Sequence, residues 1–526
     1  MKPGLLITLL LMSPALGSAQ DVLTAKTYLG KESPISLRDA VFLALQNNLD
    51  LQVARTDPAI AAETVEQARG AFDPSLFASH DFNHNEIPVA NAIQDAISGA
   101  IFTEINEDEW NSDAGFSGLL PFGLSYTSRY HVRRLDSNSS FTNLDPEWRS
   151  DWLSEIRLPL MKDLIYNEAN LTVKRSIIAE NISNEEFRAR LRDEVVGVER
   201  AYWDLAAARA ELRVEEKSRQ TARDLLGQTR VQYEVGVVSK VSVTQAEAGV
   251  ADRDFRVIVS ANRSANLQDG LLHLVLAPGA AGFADTELIP DDPAYSEYDV
   301  ELDRAIASAL NRRPELVAAK KRVEDAQIQL AFAGNQRMPQ LDLTASYAFN
   351  GLSGSAKPGA TVTVDDGFSS SNSSFFRAEG ERSWSLGGEM SIPFRNTSAK
   401  ALVAQRRIEL RRARTVLRRT EQDVILGVRT AVRALGSAID GVEAAERNRL
   451  AREETLRAEQ EKLRLGDSTP HDVLEFEEDL VDAERQKIFA LRTYQNAITE
   501  VEKNQETLLE SRGISVEKER LRGNDR

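Results

Sequence analysis

The sequence predicts a mainly α-helical protein with some β-structure, built from two similar halves. Three observations support this class. Residues 39–54 align with residues 304–319, and the same alignment carries Pro74 onto Pro339, which indicates an internal repeat. Each half also contains a long charged segment of helical periodicity that is broken by a glycine. Between the opening helix and the long helix of each half lie segments in which apolar and polar residues alternate, as in β-strands.

The first 19 residues are predicted to be a secretory signal peptide. Lys2 precedes an apolar run, and small residues close the segment at Ala19. The apolar run is too short to span a bilayer. The 526 residues include no cysteine, which excludes disulfides and cysteine-based metal sites. The formal net charge of −17 argues against a nucleic-acid partner, because such a protein needs a basic face.

Four β-strands are predicted, two in each half. Residues 124–132 and 152–160 alternate in the first half, and residues 341–349 and 384–394 alternate in the second. The segment that contains the strands is longer in the first half, and we expect the additional residues in loops, where insertions are tolerated.

Four strands with one apolar face cannot close a membrane barrel, because the smallest barrels have about eight. An open strand edge in lipid leaves backbone groups without hydrogen bonds. The chain would therefore have to oligomerise to close a barrel. The alternative is a soluble sheet that buries its apolar face against the helices.

The long helices are predicted over residues 161–234 and 395–465, each roughly 105 Å in length. In the second helix, apolar and small residues recur at coiled-coil spacing, and the first helix has the same series 230 residues earlier. The series in the second helix is Val428, Ala431, Leu435, Ala438 and Val442. Gly236 and Gly466 follow these helices and are predicted to form hairpin tips, because glycine accepts the positive φ of a tight reversal.

This organisation resembles the TolC-like outer-membrane efflux channels. The resemblance is carried by "LRDAVFLALQNNLDL" (37–51), "LDRAIASALNRRPEL" (302–316), the proline that follows each, and "LGDSTPHDVLEFEEDL" (465–480). It implies a homotrimer whose twelve strands form an outer-membrane β-barrel on a long periplasmic α-helical barrel. It further implies a passive exit duct for a tripartite efflux or type I secretion system.

The resemblance and the repeat together predict the domain boundaries. They are a signal peptide (1–19), a first repeat (20–276, with strands and an extracellular loop at about 75–160 and a helical hairpin at about 161–276), an equatorial linker (277–298), a second repeat (299–512, with strands and a loop at about 339–394 and a hairpin at about 395–512) and a C-terminal tail (513–526).

The hairpin tips resemble the places where a periplasmic adaptor, and through it an inner-membrane pump, docks on members of this family. The docking residues implied are Val235, Gly236, Val237, Ser239, Leu465, Gly466, Asp467, Ser468 and Thr469. For each residue the alternative is a plain turn. Asp467 replaces an apolar residue of the family pattern, which puts docking at the second tip in doubt.

The resemblance also implies an acidic ring at the periplasmic aperture, formed by Asp472 and Glu475. The alternative for Asp472 is an N-cap of the outgoing helix, and both roles are compatible.

The closed state of the family can depend on polar links between the two hairpins. The matching residues here are Leu463, Ser468, Val241 and Ser242, and they cannot form a charged pair. Other contacts must therefore hold the tip, or it is held less tightly.

No catalytic site, metal site or cofactor motif is predicted. His80 and His84 are four apart but lie in a strand or loop without a carboxylate at ligand spacing. The basic stretch 406–419 is open to three interpretations: a solvated face, a tunnel lining that attracts anions, or a contact with lipid headgroups. The alternative function for the whole chain is a periplasmic coiled-coil scaffold or adaptor without a pore. Two hairpins, rather than one flanked by β-rich domains, favour the duct.

Overall fold

The computed structural model describes residues 32–88, 104–139, 142–276, 287–362, 364–376 and 381–514, so the predicted signal peptide and most of the tail lie outside it. The helices are α1 (Leu37–Asn47), α2 (Leu49–Arg69), α3 (Glu168–Glu234), α4 (Lys240–Val275), α5 (Leu302–Arg312), α6 (Pro314–Asn335), α7 (Phe368–Phe376), α8 (Thr397–Leu465), α9 (Pro470–Gln505) and α10 (Leu508–Ser511). The strands are β1 (Glu32–Ile35), β2 (Ser75–Pro88), β3 (Glu104–Leu119), β4 (Ser125–Ser137), β5 (Leu144–Pro159), β6 (Glu287–Pro290), β7 (Gln340–Ala356) and β8 (Glu381–Ser391).

The chain forms two compact units, and each unit takes segments from both halves of the repeat. The described residues of the helical unit fall within 1–57, 186–316 and 420–526, and those of the sheet unit fall within 58–185 and 317–419. In the described residues, no helix combines the length and the apolar character needed to cross a bilayer.

The helical unit has an apolar core in which α1, α3 and α4 meet. Ala40, Leu205 and Leu271 are fully buried there. Tyr202 of α3 donates its hydroxyl proton to the carbonyl of Ile35 at 3.1 Å. This bond fixes β1, which pairs in parallel with β6, a pairing that the sequence did not predict.

The coiled-coil spacing predicted in the second long helix marks a packed face. All five residues of that series are buried, and four of them form one cluster with α9. The α9 members of this cluster are Tyr494, Ala497, Ile498 and Val501. The small side chains of α8 allow the two helices to approach closely.

The sheet unit contains one antiparallel sheet with the strand order β2-β3-β4-β5-β7-β8. The four predicted strands overlap β4, β5, β7 and β8, but the prediction of four strands is wrong, because six strands form the sheet in the described residues: β2 and β3 were missed. When the two halves are aligned through Pro74 and Pro339, the residues that only the first half contains form β3 and β4 rather than a loop. A hairpin inserted into an antiparallel sheet returns the chain to the end of the sheet from which it left. The strands on either side of the hairpin therefore keep their directions.

The two faces of the sheet differ in character. One face, here called the aromatic face, carries mainly apolar side chains, and the opposite polar face carries charges. The aromatic face includes Leu76, Phe82, Trp110, Phe116, Tyr126, Tyr130, Trp148, Trp152, Ile156, Tyr347, Phe349, Trp384, Leu386 and Met390. The polar face includes Asp81, Glu109, Asp113, Arg129, His131, Arg133, Glu147, Arg149, Asp151, Glu155, Arg157, Asp342 and Glu389.

Helix α7 covers part of the aromatic face. Phe368 stacks against Trp148, and Ser371 shares a hydrogen bond of 2.7 Å with Ser150. Much of the remaining face is open to solvent: Trp384 and Leu386 on β8 are mostly exposed.

A buried ion cluster closes the helical unit where α9 ends. Arg192 of α3 donates to Glu315 and to Glu506, each at 2.7 Å, and the side chains of Arg192 and Glu506 are both 2% exposed. Glu506 adopts φ +59° in the left-handed region, where a side chain is strained. Burial alone would raise the pKa of Glu315, but hydrogen bonds and charge from Arg192, with a smaller effect of Arg313, lower it to about 2.

Arg192→Ala should destabilise the protein by about 3–5 kcal/mol, because it removes the buried cation of the cluster and leaves the buried Glu506 with the longer contact to Arg188 at 3.5 Å. Arg190→Ala is the control: it removes an i,i+4 contact of 3.5 Å between the exposed Arg190 and the half-buried Glu194, and it should cost under ~0.5 kcal/mol. The measurement is denaturant unfolding followed by circular dichroism.

The wild-type protein should also lose stability as the pH falls from about 4.5 to about 2. In this window the unfolded chain protonates Glu315 whereas the folded chain keeps it ionised, so acid favours unfolding. The loss should be smaller in Arg192→Ala. Equal acid sensitivity of the two proteins would contradict this assignment.

Candidate functional site

The first hairpin tip reverses the chain through a glycine. The backbone N–H of Gly236 donates to the carbonyl of Tyr233 at 3.0 Å, and that of Val237 donates to Gln232 at 2.8 Å. Gly236 has φ +80°, which only glycine adopts without strain. These two bonds form a Schellman motif, which satisfies the last carbonyls of α3. The next helix begins after Ser239, whose side chain accepts from the N–H of Ser242.

The second tip has the same geometry. Gly466 has φ +88° and donates to Leu463 at 3.1 Å, while Asp467 donates to Lys462 at 2.9 Å. The two tips predicted from Gly236 and Gly466 are thus confirmed as turns of one kind.

The helix after the second tip begins with a capping box. Thr469 is the N-cap, and its hydroxyl accepts from the N–H of Asp472 at 3.3 Å. In return, the Asp472 carboxylate accepts from the Thr469 N–H at 3.1 Å and from the Thr469 hydroxyl at 2.7 Å. The suggestion that Asp472 is itself the N-cap is wrong: it is the third helical residue of the box.

The hydrogen bonds from Thr469, first from its side chain and then from its backbone, lower the pKa of Asp472. Asp472 therefore remains a carboxylate even in mildly acidic conditions. Glu475 is exposed and lies three residues further along α9, so the two acids share one face of the helix. The structure thus brings the two predicted aperture residues together.

The tips present apolar side chains to solvent. Val235 is 70% exposed, Val237 is 71% exposed, and Val241 at the start of α4 is also exposed. The second tip presents Leu465, 70% exposed, at the position that matches Val235, but the charged Asp467 stands where the first tip has Val237. The first tip is therefore the more apolar of the two.

Just inside the tips, four helices share an apolar cluster. Its buried members are Ala222, Leu225, Leu456, Val473 and Leu474. Leu463, one of the positions that cannot form a polar link between the hairpins, packs against this cluster. An apolar contact therefore occupies this position.

A buried arginine joins the two hairpins beside this cluster, and the sequence did not indicate it. Arg253 of α4 donates to the Ser218 hydroxyl of α3 at 3.0 Å, to the Leu474 carbonyl at 3.3 Å and to the Glu477 carboxylate of α9 at 3.4 Å. The side chains of Arg253 and Glu477 are both 6% exposed. Burial raises the pKa of Glu477 to about 6, although the charge of Arg253 opposes this. No local motif marks this pair, because the two residues meet only in the folded chain.

Gly236→Ala should destabilise the first hairpin by ~1–2 kcal/mol, because a Cβ is strained at this positive φ. Gly227→Ala is the matched control: Gly227 lies within α3 with open space around it, so the alanine should stabilise the helix by ~0.5–1 kcal/mol. The measurement is amide hydrogen exchange of residues 220–250. Effects of the same sign in both variants would contradict the strained turn.

The sequence matches the family model described as "Outer membrane efflux protein" over residues 137–264 and 305–503. The comparison with curated proteins gives no match.

Solved structures share the fold. The CmeC outer membrane channel of Campylobacter jejuni has 15% identity and a TM-score of 0.61, with 90% of this chain and 86% of that chain covered. VceC of Vibrio cholerae has 16% identity and a TM-score of 0.62, with 91% and 97% covered. The open state of the Neisseria gonorrhoeae MtrE channel has 16% identity and a TM-score of 0.60, with 89% and 88% covered.

At these identities the structural likeness establishes the fold alone. The family model, in contrast, covers more than half of the chain. This protein therefore belongs to the outer membrane efflux protein family, which confirms the TolC-like resemblance and identifies it as an outer-membrane efflux duct.

Proposed function

We propose that three copies of this chain form a channel-tunnel that is the passive exit of a tripartite efflux or type I secretion system. The main observation behind the proposal is that a chain of this family has a sheet with one aromatic face and one polar face. One apolar face towards lipid and one polar face towards water are what the wall of a membrane barrel requires.

The edges of the sheet support association with further copies. Within the described residues, β2 and β8 each pair with a strand on one side only. In lipid, their free backbone groups would lack hydrogen bonds unless β2 of one copy pairs with β8 of the next. Association of this kind closes the barrel and leaves no free edge.

The periplasmic aperture is the second part of the proposal. Asp472 and Glu475 from three chains would place six carboxylates around the axis, which favours cations. Asp472 also shapes the tip through its capping box, whereas Glu475 is exposed. Charge and cap can therefore be separated by substitution.

Single-channel recordings of the purified trimer in planar bilayers test the duct and its aperture. The wild type should show cation-selective steps, and Asp472→Asn with Glu475→Gln should move the cation-to-anion permeability ratio towards unity. Thr469→Ala is the control, because it breaks the capping box but keeps both charges, and it should retain selectivity.

Steps whose selectivity is unchanged in the double variant would place the selective constriction elsewhere. A verified trimer without any steps would instead support the alternative of a periplasmic scaffold without a pore.

The tips are the proposed docking sites for a periplasmic adaptor, which links the duct to an inner-membrane pump. The exposed Val235 and Val237 favour an apolar contact at the first tip, and Asp467 makes the second tip less suited to it. A different exposed apolar strip, formed by Phe255, Ile258 and Val259 on the flank of α4, suits contact with the next copy.

Photo-crosslinking in cells separates these two surfaces. A benzophenone amino acid at Val237 should form adducts with a second, periplasmic polypeptide, whereas the same group at Phe255 should form adducts with another copy of this chain. Mass spectrometry identifies each adduct. Adducts at Val237 that contain only this chain would rule out docking at the first tip.

A further inference from the structure

The strand count of this sheet has a consequence for the width of the duct. Four strands per chain give the twelve-stranded barrel that the family resemblance implies. The sheet that the structure describes has six, and the two additional strands are β3 and β4.

The β3–β4 hairpin lies inside the sheet rather than at its edge. It separates β2 from β5 and pairs with both: Leu76 faces Phe116 across β2 and β3, and Tyr126 faces Ile156 across β4 and β5. The β3–β4 pairing itself runs from Leu119 to Glu107. Because β2 is the outer strand, a barrel closed through β2 and β8 must contain the hairpin in its wall.

The side chains of the hairpin continue both faces of the sheet, as those of a strand in a barrel wall would. Ala114 and Phe116 continue the aromatic face and are exposed, and Tyr126 continues it on β4. On the polar face, Arg133 binds Glu109, and His131 contacts Asp113 at 3.0 Å. From Trp110 to Phe116 the hairpin therefore offers mainly apolar groups on the aromatic face and mostly paired charges on the other. Further along the aromatic face, Arg134 pairs with Asp136 at 2.6 Å.

The geometry points to a trimeric barrel of eighteen strands, in which the β3–β4 hairpin is part of the lipid-facing wall. We propose that its lumen is about 1.5 times as wide as that of a twelve-stranded barrel, since diameter grows roughly linearly with strand number. This inference rests on the proposed trimer and on closure through β2 and β8.

The wider lumen changes which part of the duct limits cargo. Barrels of about sixteen to eighteen strands enclose an aqueous channel rather than a side-chain core. The charges that the hairpin adds to the polar face include two arginines, a histidine and three acids, and several are paired with each other. The insertion thus widens the channel with little change in its net charge, so size selection falls to the periplasmic aperture.

The first test is the structure of the purified trimer by electron cryo-microscopy, for the wild type and for a variant that lacks residues 104–137. The deletion joins two connections at the same end of the sheet, so the strand order of the remaining sheet is kept. Eighteen strands in the wild type and twelve in the variant are expected. A wild-type trimer with a twelve-stranded wall would overturn the inference but keep the proposed function, whereas the lack of any trimeric barrel would overturn both.

A second test does not require the deletion variant to fold. The absence of native cysteines makes single-cysteine labelling specific. A fluorophore at Ala114→Cys, on the aromatic face of β3, should be quenched by brominated lipids in proteoliposomes. The same fluorophore at Thr127→Cys, on the polar face of β4, should instead be quenched by iodide in water. Lack of lipid quenching at Ala114→Cys would show that the hairpin is not part of the lipid-facing wall.

Discussion

Unpaired backbone groups along a strand edge are the constraint on which the sheet unit depends. Among the strands that the structure describes, each interior strand is hydrogen-bonded on both sides, but β2 and β8 are paired on one side only. In water, such edges are a liability for aggregation, and in lipid each unsatisfied group costs several kcal/mol. A single chain cannot remove this cost, because six strands are too few to close a membrane barrel. The proposed insertion of this sheet into a membrane therefore depends on the proposed association of several copies.

In the helical unit, the corresponding constraint is that the last carbonyl groups of each long helix need hydrogen-bond donors where the chain reverses. Both tips use the same two Schellman hydrogen bonds and the same positive φ at glycine. At the end of α9 the same bonding pattern recurs with Glu506 in place of glycine. Here the strained residue also carries a side chain that pairs with the buried Arg192, which a glycine could not supply.

The parts of the fold that depend on local chemistry were predictable from the sequence. Gly236 and Gly466 were identified as turns because few other residues accept their φ, and the spaced apolar residues of α8 correctly marked its packed face. The N-cap of α9 was predicted at Asp472, three residues after the true N-cap, Thr469. Thr469, Pro470 and Asp472 nevertheless have the spacing that signals a capping box.

Features that depend on long-range pairing were not predictable. In β3, residues 104–109 include a single apolar residue, Ile105, so the alternation that reveals β5 and β7 is weak there. Comparison of the two halves located the insertion correctly, but length alone does not distinguish a loop from a hairpin. The contact between Arg253 and Glu477 joins helices that are far apart in the sequence, and no spacing rule relates them.

The carboxyl groups near the second tip differ in pKa because their surroundings differ. Asp472 is partly exposed to water and receives hydrogen bonds from Thr469, which lower its pKa. Glu477, five residues further along α9, is buried, and its pKa is raised to about 6. As the pH falls from 7 towards 5, Glu477 therefore takes up a proton while Asp472 stays charged. The charge of Asp472 thus persists over a range in which the contact between the hairpins loses its ionic character, because burial and capping act on the two acids in opposite directions.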